Sequence, residues 1–336
     1  MSKWTVRYVT EDEYQTWDAF VMQNKDGTIF HTSRLALALL KVENNAHASI
    51  IGCFSKDGQL AGGMIVGWKQ LPGKMKVMVT PYASPFSGPL VSARDTEYVT
   101  KQESHSFSIL HVILDFVERE FNLVNFLLPT GFNDIRVFNW RNYSSRVFYT
   151  YVGEISDPEK LYKQFQSDIR RRITIAEKYS YSIKQNRSHD HVQIVYDLLS
   201  KSYERQDHPF KFTLEQFSDL LGDSDLKNNL SMYSVWNEDL PVAALLMLHY
   251  KDTAYYWMAG GDNEHFDTGL NQLLFWEVIK MMSELGLKNM NMVGANTPTI
   301  SRYKSSYNFE LVPYYSVTKI IGGIAKLAFG LKRMLK

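Results

Sequence analysis

Four groups of residues in this chain are of types that can do chemistry. The first centres on Lys304, in Ile300-Ser301-Arg302-Tyr303-Lys304-Ser305-Ser306-Tyr307-Asn308-Phe309. An ammonium at a reacting centre stabilises negative charge as it develops, and one well-placed donor to an oxyanion is typically worth roughly 3–4 kcal/mol. The alternative for Lys304 is a solvated side chain on a short helix. The second group spans 260–271: a strand ends in Gly260-Gly261, a polar loop follows, and a helix starts near Gly269 with Asp267 or Thr268 as its N-cap. A helix start presents unpaired N–H groups to phosphate, so Gly260, Gly261, Thr268, Gly269 and Asn271 are donor-binding candidates, against an ordinary capped helix. The third is Arg170-Arg171-Arg172, within a basic amphipathic helix expected over 168–178. The three cannot share one face; Arg170 and Arg171 can hold a phosphate with a planar fork, or line a solvated face. The fourth is Asp262, Glu264, His265 and Asp267, any of which can accept a proton, so the sequence singles out no general base.

Other chemistries are disfavoured. Lys and Arg number 37 against 36 Asp and Glu, whereas duplex binders carry a basic excess because phosphate neutralisation supplies most of their affinity; DNA is not expected as a partner. No intrachain disulfide can form, since the one cysteine, Cys53, lies in the apolar run Ser49-Ile50-Ile51-Gly52-Cys53-Phe54 and reads as a buried strand residue rather than a catalytic thiol. His189-Asp190-His191 reads as a polar turn with no further ligand at metal spacing, so no metal is expected. There is no Gly-x-Ser-x-Gly elbow, no phosphate-binding Gly-rich loop and no His-Glu-x-x-His. The first nine residues do not read as a signal peptide, and no apolar run approaches the roughly 18 residues of a spanning helix. A cytoplasmic protein, peripheral at the inner membrane surface, is the expectation.

The elements that must position these residues come in two sets. At one constant offset, 49–63 falls on 230–244, each an apolar strand, a polar turn and a second strand, which is a hairpin signal. At another, 110–117 falls on 275–282 with helical apolar spacing, 124–127 on 289–292, Ile135 on Ile300, Phe138 on Tyr303, and Phe148-Tyr149 on Pro313-Tyr314. The offsets differ by one insertion in the first copy, placed in the Pro-, Ser- and Gly-rich stretch 82–103. Each copy reads helix, helix, three strands, helix, strand, helix, strand. The expected fold class is α/β (α+β): two tandem domains, each a mixed central β-sheet flanked by helices. The division predicted is 1–155, 156–317 and a tail, 318–336. In the first copy Asn139 stands where Lys304 stands in the second, so the first domain is expected to bind acceptor or serve structure, with Tyr82, Ser87 and Gly88 of the insertion available to line a cleft.

In the tail, Ile320, Ile321, Ile324, Leu327, Ala328, Leu331 and Leu335 fall on one helical face and Lys319, Lys326, Lys332, Arg333 and Lys336 on the other. That pattern suits an interfacial helix on anionic lipid, or one docked on the protein with a basic outer face.

Four segments resemble the FemAB/FemX-like branch of the GNAT superfamily: the arginine-rich 168–178, the strand 255–261, the helix 269–279 and the lysine motif 300–309. The resemblance spans most of the chain. It departs at Asn308, where the family often has Gly, and in lacking a long helical arm inserted in the second domain. The resemblance implies two tandem GNAT-like domains and an N-acyltransferase acting by direct attack of an amine in a ternary complex. It implies no tightly bound cofactor, with acyl-CoA or aminoacyl-tRNA as donor substrate, a transfer RNA or acyl carrier as donor partner, and a phosphorylated cell-envelope precursor such as a peptidoglycan intermediate as acceptor. It makes Lys304 catalytic, places donor phosphates at the helix start near Gly269, and adds Tyr256, Arg302 and Tyr82 to Arg170 and Arg171 as substrate-binding residues. An acyl-CoA or acyl-carrier-protein dependent enzyme acting on a nucleotide sugar or polysaccharide intermediate, and a non-catalytic ligand-binding protein, are the other readings.

Overall fold

A computed structural model describes residues 3–323 and residue 325. In chain order the elements begin with β1 (Trp4–Tyr8), α1 (Tyr14–Gln23), α2 (Ser33–Lys41), β2 (His47–Ser55), β3 (Leu60–Leu71), β4 (Met75–Val79) and β5 (Leu90–Val91). Then come α3 (Val99–Glu120), β6 (Leu123–Leu127), α4 (Arg136–Trp140), β7 (Ser144–Glu154), α5 (Pro158–Gln164), α6 (Ser167–Ala176), β8 (Tyr181–Lys184) and α7 (His189–Arg205). The chain continues with α8 (Leu214–Gly222), β9 (Leu230–Asn237), β10 (Leu240–Tyr250), β11 (Thr253–Gly261), α9 (Leu270–Glu284), β12 (Asn289–Asn291), α10 (Pro298–Ser305) and β13 (Glu310–Ile320). Every pair of segments matched by the sequence offsets forms the same kind of element: hairpin β2–β3 with β9–β10, α3 with α9, β6 with β12, α4 with α10, and β7 with β13.

The chain folds into two compact units, Tyr149–Val312 and a second assembled from Met1–Phe148 with the stretch from Pro313 onward. In the first unit the strands run β1-β2-β3-β4-β6-β13, antiparallel except for β4 beside β6. In the second unit the order is β8-β9-β10-β11-β12-β7, antiparallel except for β11 beside β12. The pattern is the same in both, and in each the final strand comes from the other sequence copy. Phe148 and Pro313, matched by the sequence offset, stand at the two switch points. A linear division at 155 and 317 therefore does not describe the units. It would separate each sheet from the strand that completes it.

Local chemistry explains the elements. The hairpin turns use positive φ at Gly58 (76°) and Glu238 (54°). α3 buries Ile109, Leu110, Ile113, Leu114, Phe116 and Val117, and α9 buries Leu270, Leu273, Leu274, Phe275, Val278, Ile279 and Met282, each a helical stripe laid on its own sheet. Cys53 is fully buried in β2, where burial pushes its thiol up to about 12; it packs and does not react. Three strands are absent from the sequence reading: β1 and β8 are edge strands of five and four residues, and β5 has only two, lengths that leave little periodic signal.

The tail expectation is corrected at its start. Residues 318–320 are the end of strand β13, and Lys319 donates to Glu118 at 2.7 Å instead of turning to a surface. Residue 324 and the residues from 326 on lie outside the described residues. Among the described residues no helix is long and apolar enough to cross a membrane.

Phe138 carries much of the first unit's core. It is fully buried, with the rings of Phe126, Phe132 and Tyr143 at 5.7, 6.0 and 5.7 Å. Phe138→Ala should cost about 3–5 kcal/mol in urea unfolding; a loss under about 1 kcal/mol would show that this cluster does not hold the unit together.

Candidate functional site

In the second unit β11 and β12 run parallel but pair only over Thr253–Tyr255 and Asn289–Asn291. Two features then drive them apart. β11 carries a bulge: Leu246 of β10 faces Met258 while Met247 faces Tyr256, so Trp257 is the extra residue, and bulges bend the strand that holds them. β12 ends at Asn291, whose buried carboxamide oxygen accepts from Thr150 Oγ1 (2.7 Å) and from the Val293 amide (2.9 Å). Met292 and Ala295 then donate to the Tyr151 and Tyr149 carbonyls, carrying the chain away from β11. Val293 sits at φ 48° and Gly294 at φ 67°. A β-branched residue there is strained, and the strain persists only because something holds it.

What holds it is Lys304. Its Nζ donates to the carbonyl oxygens of Met292 (2.5 Å), Val293 and Gly294 (2.7 Å), and lies 5.5 Å from the Tyr256 ring centre. The side chain is 7% exposed, and burial pushes its ammonium down to about 7. In its charged form the amine has three donors and all three face one turn, so Lys304 holds the wall of the cleft.

Beside it lies a chain of hydroxyls. Tyr307 donates to Tyr303 at 3.0 Å, and the Tyr303 hydroxyl is also hydrogen-bonded to that of Tyr256. Tyr307 is fully buried against Phe165 and Phe275, while Tyr303 and Tyr256 are half-buried. Burial holds the Tyr256 and Tyr303 hydroxyls well above the usual tyrosine value, so they stay protonated and can donate. The sequence alignment read Tyr303 as core because Phe138 matches it. The signal that was available is the hydroxyl itself, present in one copy and absent from the other.

The start of α9 differs from expectation in detail. Residues 263–268 form a short 3-10 helix and the N-cap is Gly269, not Asp267 or Thr268. Thr268 Oγ1 instead accepts from the Leu270 amide at 3.3 Å. Gly269 has φ 78°, and a β-carbon there would lie 2.2 Å from the Arg172 carbonyl oxygen, so glycine is required by conformation and by the approach of α6. Gly260 and Gly261 are both buried. A β-carbon on the former would meet the Leu198 carbonyl at 2.5 Å and on the latter the Asn271 side chain at 2.9 Å, so these glycines seat α7 and α9 rather than admit a ligand. The amides of Asn271 and Gln272 remain as first-turn donors with no partner inside the helix. Gln272 Oε1, on the same turn, is buried with no hydrogen-bond donor.

The structure thus brings together Lys304, Tyr256, Tyr303 and Tyr307, and separately seats Thr268, Gly269 and Asn271 at the α9 start. It does not gather the remaining candidates. Arg170 donates to the Lys163 carbonyl of α5 at 2.6 Å and Arg171 to Asp168 of its own helix at 2.7 Å. Arg302 is exposed on α10, and Tyr82 is half-buried in the other unit. His189 and His191 open helix α7 instead of lying in a turn, and both ring nitrogens of His191 are taken, by the Asn186 carbonyl (2.8 Å) and Ser234 Oγ (2.6 Å). Asp262 caps the 3-10 helix, accepting from the Glu264 amide.

Residues 163–305 match the acetyltransferase (GNAT) domain family, a span that covers the cleft, the α9 start and Lys304. Solved structures similar to nearly the whole chain include FemX (TM-score 0.67, 13% identity, 93% of this chain and 96% of that one). They also include a conserved protein of unknown function from Bacteroides thetaiotaomicron (TM-score 0.61, 12% identity, 94% and 100%). A third is the C-terminal domain of a putative lysylphosphatidylglycerol synthetase from Agrobacterium fabrum (TM-score 0.57, 12% identity, 95% and 95%). A search of curated proteins finds no match by sequence. The fold is of the GNAT type, and by the class of its domain the chain is an acyltransferase. The resemblance to FemX read from the sequence is borne out in the fold.

Two outcomes test this geometry. Gly269→Ala should destabilise by at least about 2 kcal/mol, since a left-handed non-glycine residue alone costs about 1–2 and the Arg172 carbonyl must also move; a loss below about 0.5 kcal/mol would mean that α6 does not press there. Between about 7 and the ordinary lysine value of 10.5 the unfolded chain holds a proton that folded Lys304 has released, so its contribution to stability rises with pH over that window. The stability gap between wild type and Lys304→Met should therefore shift in favour of wild type from pH 7 to 9, by up to about 1.4 kcal/mol per pH unit; a constant gap would show an ordinary lysine.

Proposed function

We propose that the chain transfers an aminoacyl or acyl group onto an amine of a cell-envelope precursor, and that transfer takes place where β11 and β12 part. The observation that carries this reading is the cleft itself: an open strand edge, two protonated tyrosine hydroxyls and a helix start, inside the segment that matches an acyltransferase domain. The names FemX and lysylphosphatidylglycerol synthetase favour an envelope acceptor. A phosphorylated acceptor, whether a peptidoglycan intermediate or a lipid-linked one, fits both.

The chemistry follows from the groups present. The acceptor amine attacks the donor carbonyl carbon, forming C–N; the carbonyl becomes a tetrahedral oxyanion; the C–O or C–S bond to the carrier then breaks. Tyr256, at the end of the hydroxyl chain, is placed to donate to the oxyanion or to protonate the leaving oxygen or sulfur, with Tyr303 bonded behind it. The amine proton passes to solvent or to a carboxylate of the 262–267 loop. The Asn271 and Gln272 amides, with Gln272 Oε1, receive the polar part of the donor. Lys304 holds the cleft wall. No covalent enzyme intermediate is needed, and the donor is a substrate, acyl-CoA or aminoacyl-tRNA, rather than a resident cofactor.

Donor class is decided by thermal shift with coenzyme A, acetyl- and longer acyl-CoAs, and UDP-linked muramyl-pentapeptide. A ligand at 100 times its dissociation constant stabilises the fold by about 2.7 kcal/mol. A response to CoA species favours a thioester donor, and with it an acceptor such as a nucleotide sugar or polysaccharide intermediate. A response to the muramyl precursor alone favours aminoacyl transfer. On the productive pair, Tyr256→Phe should lower kcat about 10²–10³-fold with KM little changed, the usual loss for one oxyanion donor; unaltered turnover would remove the tyrosines from the mechanism.

A further inference from the structure

The first unit contains the same parting of parallel strands, and there it is filled. β4 pairs with β6 at Val77 and Leu123 and ends at Val79, while β6 runs on to Leu127. In the second unit β11 passes the corresponding point with the single bulged residue Trp257. In the first, β3 advances only from Gly67 to Gly63 while its partner goes from Val79 to Leu90. The intervening loop turns into the space between the strands. The amides of Ser87 and Gly88 both donate to the Leu127 carbonyl, at 2.9 and 2.7 Å, and the Leu127 amide donates back to Ser87 Oγ at 3.3 Å. Phe86 anchors the loop, 1% exposed, with its ring against Phe30 and Tyr314. Gly88 lies so close to β6 that a β-carbon would meet Leu128 at 2.8 Å and the Leu127 carbonyl at 2.9 Å.

By ladder register, with Leu123 on Val77 in one unit and Asn289 on Thr253 in the other, Leu127 corresponds to Val293, whose carbonyl is one of the three that Lys304 holds; the sequence offset sets Lys304 on Asn139, which is exposed. Both units thus face one problem, a carbonyl just past the point where the parallel pairing ends, which has lost its ladder partner. One unit solves it with a loop that occupies the cleft. The other solves it with a single ammonium that reaches the carbonyls from α10 and leaves the cleft open.

We infer that the 81–91 segment is a built-in occupant of the first unit's strand splay, so that each chain offers one donor cleft, in the second unit, and Lys304 is the positioning residue that holds the wall of that cleft. The inference rests on the transferase reading for the word donor. The plug itself rests on the first unit alone. Ser87 and Gly88, which the sequence offered as lining for an acceptor cleft, are then spent on the protein's own backbone.

Residue-resolved amide exchange on the full, ligand-free chain decides it. Ser87 and Gly88 should exchange at least about 100-fold slower than unstructured peptide, alongside the β2 and β3 amides; exchange at the unprotected rate would overturn the plug. Gly88→Val should expel the loop, abolishing protection at Ser87 while β2 and β3 stay protected. Retained protection at Ser87 in a folded variant would also overturn it. If the variant does not fold, the wild-type rates still decide. In titration with coenzyme A, one molecule bound per chain supports a single cleft, and two overturn it. No binding would count against a thioester donor and not against the plug, which the exchange rates settle separately.

Discussion

A parallel pair of strands that separates leaves backbone groups with nothing to bond, and this constraint organises the molecule. Buried carbonyls without donors cost free energy comparable to a lost hydrogen bond each, so a fold that opens its sheet must supply replacements. In the second unit the replacement is Lys304, which gathers three carbonyls of one strained turn. The strain at Val293, the inward aim of the turn and the burial of the ammonium are one arrangement seen from three sides. The cleft exists because a long, flexible side chain can do from outside the sheet what a neighbouring strand would otherwise do from within.

The same arithmetic explains the asymmetry of two units that share a strand pattern. The first fills its splay with a loop and lines the equivalent helix with Phe138, deep in an aromatic cluster. The second keeps its splay open and carries Tyr303 and Tyr307 in a hydroxyl chain that ends at Tyr256. At corresponding places one unit carries packing and the other polarity, and the polar unit is the one whose span matches an acetyltransferase (GNAT) domain.

Glycines mark where backbones must meet, and here they are structural first. Gly260 seats α7, Gly261 leaves room for Asn271, and Gly269 admits the Arg172 carbonyl while bending the chain into α9. A helix start built this way is fixed by the elements around it. Its remaining amides are held in place before any ligand arrives, which is the condition for electrostatic stabilisation without reorganisation.

Periodicity and internal matching determined a good deal by themselves. Apolar spacing located α3 and α9, the polar turns located both hairpins, and the offsets paired elements that the fold does pair in kind, down to Phe148 and Pro313 at the switch points. Such features are local, or repeat along the chain, and a sequence displays them. Residue type and spacing single out Lys304 but do not say which atoms it faces; the three carbonyls of 292–294 are visible only in the structure. The arginines of α6 read as a binding face in the sequence; their partners, the Lys163 carbonyl of α5 and Asp168 of α6, are shown only by the structure. The exchange of final strands, the splay, and the loop that closes it in one unit belong to tertiary structure alone. The exchanged strands pair across more than a hundred residues of chain, and the splay and its loop across about forty, and hydrogen-bond partners at such separations leave no periodic trace.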